Sequence, residues 1–307
     1  MNSTHYTYFT LAAYFDIGLL KYLFFVIVMI FYALTVAANV LLIVVICVNR
    51  SLHEPMSLFM CSLFISELYG CTMLFPMIMV QLLRDVHTIA TSLCFLQIYS
   101  VHSYSTIEYL TLTVMSYDRY LAICHPLQYH TLMTNNRIAT LIAVPWFYGF
   151  LIVLITISVS SSLQLCGNII HKVYCDNYSV VKLACSNTSA FNIYGLFISF
   201  ATIGIPCLIF IYTYMRILKV CFSGSKQTRH KAVTTCTPHL ASVINFGIGG
   251  GFELIQSRFN MNHVPNILRI LLSLYFFVIQ PFFNPLMYGL KISKIRILCK
   301  SLLFAKM

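Results

Sequence analysis

Charge is what this chain has least of. Only 9% of its 307 residues are Asp, Glu, Lys or Arg, against 59% that are hydrophobic, where a soluble domain carries about 25% charged residues. So few charges cannot give a chain this long a polar surface in water. That excludes an ordinary soluble protein and makes lipid the solvent. Acids are scarcer still, 8 against 19 basic residues, for a net charge of +11. Such an excess can mark a nucleic-acid binder. Here, however, the basic residues occupy short segments between apolar runs, which is the pattern of membrane orientation, and no nucleic-acid partner is expected. The start, Met1 to Thr10, lacks the basic region and short apolar core of a cleaved signal peptide, so the first apolar run is expected to direct membrane delivery. Internal repeats, metal-ligand spacings and a supported nucleophile–base pair are also missing, so no enzyme is expected. The glycines at 247, 249, 250 and 251 lack the following Lys of a phosphate loop.

What is there in quantity is long apolar sequence. A spanning helix needs about 20 mostly apolar residues. Stretches almost free of charge run from Tyr22 to Asn49, Pro55 to Leu83, Val86 to Tyr117, Ile138 to His171, Leu183 to Met215, Ala232 to Phe252 and Ile270 to Leu290. Glu67 alone interrupts the second and Glu108 alone the third. The expected fold is an all-α membrane protein, one bundle of seven transmembrane helices over 1–307. In it 1–21 form an outer N-terminus, 22–290 the bundle, and 291–307 a short cytoplasmic amphipathic helix and tail. With the N-terminus outside, 13 of the 19 basic residues fall on the inner side, as the positive-inside rule requires. Three glycosylation triplets, beginning at Asn2, Asn177 and Asn187, then lie outside. So do Cys94, Cys166, Cys175 and Cys185, which permit two disulfides in three connectivities. The remaining cysteines read as small apolar filler.

Four clusters break the apolar background. At the inner end of the third stretch, Asp118 and Arg119, followed by Tyr120, read either as a charged stop at the membrane edge or as a reversible lock whose arginine is released to a partner. At the inner end of the seventh, Asn284-Pro285 and Tyr288 read as a kink or a hinge, with freed carbonyls satisfied by neighbours. Glu67 and Glu108 lie at membrane depth, where acids face the bundle interior. They can share a proton, or hold a hard cation such as sodium together with Asn39 and Asn284, since all-oxygen ligands do not suit zinc. Lys231 to Leu240, which includes His239, opens the sixth stretch behind a basic rim.

Together these segments resemble the odorant receptors, a branch of the rhodopsin-like G-protein-coupled receptors. Met115 to Leu127 follows the family phrase at the third span. Leu52-His53-Glu54-Pro55-Met56, Lys231 to Leu240, Pro281 to Gly289, Ala38-Asn39 and Trp146 match theirs, in order and over almost the whole chain. There are departures. Pro238 stands where the family has Ser, Glu67 replaces the usual Asp, and Phe246-Gly247 omits the tyrosine of the family's Phe-Tyr-Gly. These departures suggest a divergent member, of the kind an aquatic vertebrate carries.

The resemblance implies the rest. An odorant binds from outside, and a heterotrimeric G protein of the stimulatory olfactory type is engaged inside, in the plasma membrane of an olfactory sensory neuron, with membrane lipid around the bundle. The other class weighed is an ion-coupled transporter or channel, which two separated acids and the lack of inverted repeats disfavour. The resemblance pairs Cys94 with Cys175, leaving Cys166 and Cys185 to staple the outer loop. It assigns activation to Arg119 and Tyr288 with Tyr214. It lines the ligand pocket with Val101, His102, Ser105 and Thr106, then Ile198 and Thr202, then Gly250, Gly251 and Leu254, and finally Leu274 and Phe277. Arg258 stands where some odorant receptors grip a carboxylate. The alternatives are a solvated Arg258, an Arg258–Glu253 pair, and an amine held by Glu253.

Overall fold

The computed structural model describes residues 6–14, 18–223, 226–258, 266–292 and 295–299. Among them are seven long helices. They are α1 (Leu20–Val48), α2 (Pro55–Leu83), α3 (Thr91–Cys124), α4 (Asn135–Ser161), α5 (Ser189–Ser223), α6 (Lys226–Arg258) and α7 (Asn266–Lys291). Four of them, α1, α2, α4 and α5, are long and apolar enough to cross a membrane. Helices suit that solvent because every backbone donor and acceptor is satisfied within the segment.

The burial pattern is that of a protein in lipid. Phe24, Ile30 and Leu34 on α1, and Phe197 and Phe200 on α5, are exposed, whereas Asn39, Glu67, Glu108 and Asn284 are wholly buried. Polar side chains therefore point inward, and α3 packs against α2, α4, α5 and α6 at the centre. α7 carries two prolines, Pro281 and Pro285. A proline at 285 removes the N–H that would reach the carbonyl four residues back. Asn39 supplies the missing donor, its Nδ2 reaching the Pro281 carbonyl oxygen at 2.9 Å.

One close approach is set by a glycine. A Cβ at Gly70 would lie 2.4 Å from the Tyr104 ring, and Tyr104 is itself buried. Neither group can yield, so Gly70→Ala is expected to destabilise the α2–α3 packing by about 1–3 kcal/mol, the usual cost of overfilling a core. Thermal unfolding of the purified protein checks this; an unchanged midpoint would mean the two helices part easily.

At the end that holds the disulfides, a small sheet roofs the bundle. Its order is β2-β1-β3, with β1 (Tyr8–Leu11) antiparallel to β2 (Thr88–Ala90) and parallel to β3 (Ile169–Ile170). Phe9 and Leu11 point down into a buried cluster with Ile98 and Val180. Tyr14 continues the tie. Its ring stacks on His87 at 4.5 Å and its hydroxyl donates to the Val173 carbonyl at 2.9 Å. The expected outer N-terminus is thus partly a strand of the roof. At the other end, residues 295–299 are helical, and Ile292, Ile295, Leu298 and Cys299 pack against the bundle's own core. Ile297 of this segment is exposed, and the rest of the expected amphipathic helix, 300–307, lies outside the described residues.

Candidate functional site: a roofed cavity above a polar core

Under the roof lies a cavity of about 370 Å³. Val101, His102, Ser105 and Thr106 line it from α3, Thr202 from α5, Gly250, Gly251 and Leu254 from α6, and Phe277 from α7. Sequence reasoning named all nine. Ile198 lines an adjoining chamber between α3, α4 and α5. Leu274 was expected beside them. It lines neither of these two spaces and packs, half-buried, against the cluster that also holds Val101 and Phe277. The side chains of Arg258 and Lys231, and the whole of Asn2, lie outside the described residues. Asn177, expected as a glycosylation acceptor, lines the side chamber with its amide oxygen buried, whereas Asn187 is exposed.

Two disulfides hold the roof. Cys94 is bonded to Cys175, and Cys166 to Cys185, the pairing the resemblance implied. The Cys175 N–H donates to Gln97 Oε1 at 2.8 Å, fixing the loop on α3. Residues beside Cys175 then close the cavity. Lys172 Nζ lies 3.0 Å from Glu253 Oε2 and 3.6 Å from Asp176 Oδ2, and the Tyr174 hydroxyl donates to the same Glu253 oxygen. The Tyr174 ring meets Phe277 edge-on at 5.1 Å. Asp176 also lies 3.8 Å from His102 Nε2. Burial pushes the Lys172 ammonium down, but Asp176 and Glu253 outweigh it and hold it above the usual lysine range. Burial likewise opposes the Asp176 carboxylate, which Lys172, His102 and Ser179 together hold below its usual range. Both shifts favour the charged forms. The Asp176 contribution is lost only as pH falls through an already depressed value, and the Lys172 contribution only as pH rises through a raised one, so the roof keeps its charges across neutral pH. Sequence reasoning missed Lys172, Tyr174 and Asp176; Lys172 and Tyr174 both reach Glu253, which it had offered to Arg258 or to an amine.

Below the cavity, Glu67 and Glu108 are joined through Asn284. Asn284 Nδ2 donates to Glu67 Oε1 at 2.5 Å and to Glu108 Oε1 at 3.0 Å. Gln280 Nε2 donates to the same Glu108 oxygen at 2.9 Å. Asn245 donates in turn to Gln280, and the Tyr275 hydroxyl to Asn245, so the network runs from α2 to α6 and α7. The second oxygens of both acids, with Asn39 Oδ1 and Asn284 Oδ1, are buried without a protein donor.

At the end away from the roof, Asp118 is wholly buried and grips Arg119 twice, through Nη2 and through Nε at 3.0 Å. The Tyr129 hydroxyl donates to the other Asp118 oxygen at 2.6 Å. Tyr120 pairs with His125 Nε2 at 3.0 Å. Tyr214 and His239 form a separate pair at 2.6 Å through Nδ1, and His239 Nε2 lies 2.9 Å from the Leu112 carbonyl. A carbonyl can only accept, so Nε2 carries the proton and Nδ1 accepts from Tyr214. Tyr288 is buried, with Phe64 edge-on to its ring at 6.2 Å.

A cavity at one end, a buried polar core and a caged arginine at the other agree with what comparison finds. The family model described as "Olfactory receptor" matches residues 27–306. The human olfactory receptors 10A6, 11A1 and 6K3 are 32%, 33% and 35% identical over 89%, 93% and 88% of this chain and 86%, 90% and 81% of their own lengths.

The chain belongs to the olfactory receptor family. It is therefore a multi-pass membrane protein and a G-protein-coupled receptor, not an enzyme. As an olfactory receptor it departs from the family phrase at Gly247, and the structure shows the effect. A Cβ there would meet nothing within 4 Å, and Gly247 borders the cavity. The space that Gly247 borders is open. Phe246 instead packs between Tyr109, stacked at 5.1 Å, and Phe276, edge-on at 5.1 Å.

Proposed function

We propose that this receptor crosses the plasma membrane of an olfactory sensory neuron seven times with its N-terminus outside. It binds a small, mostly apolar odorant in the roofed cavity, and it activates a stimulatory olfactory G protein that raises cAMP. The observation that carries this reading is the cavity itself. Its volume and its mostly apolar wall with a few polar groups suit a small volatile molecule, and along α3 it lies before Glu108 and then the Asp118–Arg119 pair. An odorant acts only by binding one arrangement of the helices better than the other. Tyr109, Phe246 and Phe276 form the wall between cavity and polar core, so a ligand pressing on them biases that core. Arg119, Tyr214 and Tyr288 then rearrange to admit the G protein.

Four buried oxygens without donors, two of them on carboxylates, also fit a sodium ion held by Glu67, Glu108, Asn39 and Asn284. Such an ion would add positive charge between the acids and steady the resting arrangement. Sharing of a single proton between the acids meets the same electrostatic need.

The test is expression with a cAMP reporter and a panel of volatile acids, amines and neutral molecules. At least one compound should raise cAMP, and Arg119→Ala at equal surface level should abolish the rise. Odorant-driven current with no G-protein signal of any class would overturn the reading in favour of a channel or transporter.

A further inference from the structure

The cavity does not end at α5. A second chamber of about 210 Å³ lies between α3, α4 and α5. It shares His102, Thr106, Asp176, Thr202, Ile203 and Leu254 with the main cavity, so the two meet at a waist where polar groups face two apolar side chains. Beyond the waist Ile152, Val153 and Ile157 from α4 and Ile198 from α5 form an apolar side, with Thr156, Asn177, Asn192 and Tyr194 as its polar edge.

The chamber has a structural origin. Within α5, Phe200–Gly204 is π-helical, and such a segment inserts an extra residue that reorients the helix on either side, often at functional sites. Thr202 is the buried residue of this segment, while no residue of Ser189–Ser199 above it is fully buried. Two hydrogen bonds bracket the gap to α4, Tyr148 to Thr202 at 3.0 Å and Thr156 to Tyr194 at 3.3 Å. Between these ties the helices stand apart and leave space. A space with an apolar side behind that waist is a receptacle for a chain.

We infer that the odorant is an elongated amphiphile. Its single hydrogen-bonding group sits at the waist, against His102, Thr106 and Thr202, and its aliphatic chain runs into the chamber between α4 and α5. This rests on the odorant-receptor reading above and narrows it to a ligand shape. Each methylene buried in such a chamber should raise potency about fourfold, until the chain reaches its end.

The experiment is a ladder of straight-chain primary alcohols tested on the cAMP reporter. Potency should climb with chain length and then stop. Ile198→Trp, which fills the chamber, should move the stop several carbons shorter and spare the short alcohols. Ile198→Ala, which enlarges it, should move the stop longer, a gain that misfolding cannot mimic. A stop unmoved by either variant, or moved only by Gly251→Leu in the main cavity, overturns the inference while leaving the receptor reading intact. Failure of every odorant in the parent protein counts against that reading instead. The chamber is then judged without signalling, by photolabelling the receptor in lipid nanodiscs with a straight-chain alcohol bearing a terminal diazirine. Adducts within 152–157 or 194–199 are expected. Adducts confined to 246–254, or none, overturn it.

Discussion

Cys175→Ser should unfold the roof and leave little receptor at the cell surface. Cys175 and its partner Cys94 are both wholly buried, and their bond closes a loop with a sequence separation of 81. Removing a native disulfide typically costs about 2–5 kcal/mol, and here it also frees the segment that carries Lys172, Tyr174 and Asp176. Cys185→Ser is the comparison. Its bond spans 19 residues and Cys185 is exposed. On chain entropy alone the shorter loop is worth about 1.3 kcal/mol less, and its loss leaves the tie to α3 in place. Surface labelling in cells and thermal unfolding of purified receptor should both rank Cys175→Ser well below Cys185→Ser. Equal losses would mean that the tie to α3 does not hold the roof.

Asp118→Asn should switch the receptor partly on without odorant. The carboxylate holds Arg119 by two charge-assisted bonds and accepts a third from Tyr129. The amide keeps the shape and removes the charge. Hydrogen bonds to charged groups contribute about 1.5–3 kcal/mol each, and a loss near the lower figure shifts a two-state equilibrium about tenfold. Basal cAMP should therefore rise severalfold at equal surface expression. Tyr129→Phe, which removes one bond and no charge, should raise it less. Basal signalling unchanged in Asp118→Asn would relocate the resting restraint, with the Tyr214–His239 pair the next place to look.

The helices were legible in the sequence because lipid imposes a simple rule, and the ends were less so. Charge-free stretches located all seven helices, yet α3 runs on to Cys124 and α6 begins at Lys226. The charged turns there are helical because they leave the apolar layer without leaving the helix. Asp118 and Arg119 therefore sit inside α3, not at its end. Glu67, Glu108, Asn39 and Asn284 stood out as polar groups in apolar runs. Gln280, Asn245 and Tyr275 did not, since only their mutual hydrogen bonds distinguish them. The roof was the least legible part. Tyr8–Leu11 is a strand of four residues, too short for its alternation to register, and its partners come from distant loops. The pocket lining was legible through family resemblance on α3 and α6, where register is regular. On α7 Phe277 lines the cavity, and Leu274 lines neither space.

The roof also imposes an order of events on synthesis. Its central strand is among the first segments made, whereas the carbonyl that Tyr14 secures belongs to Val173, 159 residues later. At a ribosomal pace of about 5–20 residues per second, the strand waits on the order of 10–30 s for that partner. Until β2 and Ile98 are made, roughly halfway through that interval, Phe9 and Leu11 have nothing to cover them. The nascent receptor thus presents a short sticky segment to the folding machinery of the compartment that also forms its disulfides, and a fusion partner attached immediately before Tyr6 would compete for the strand during that wait.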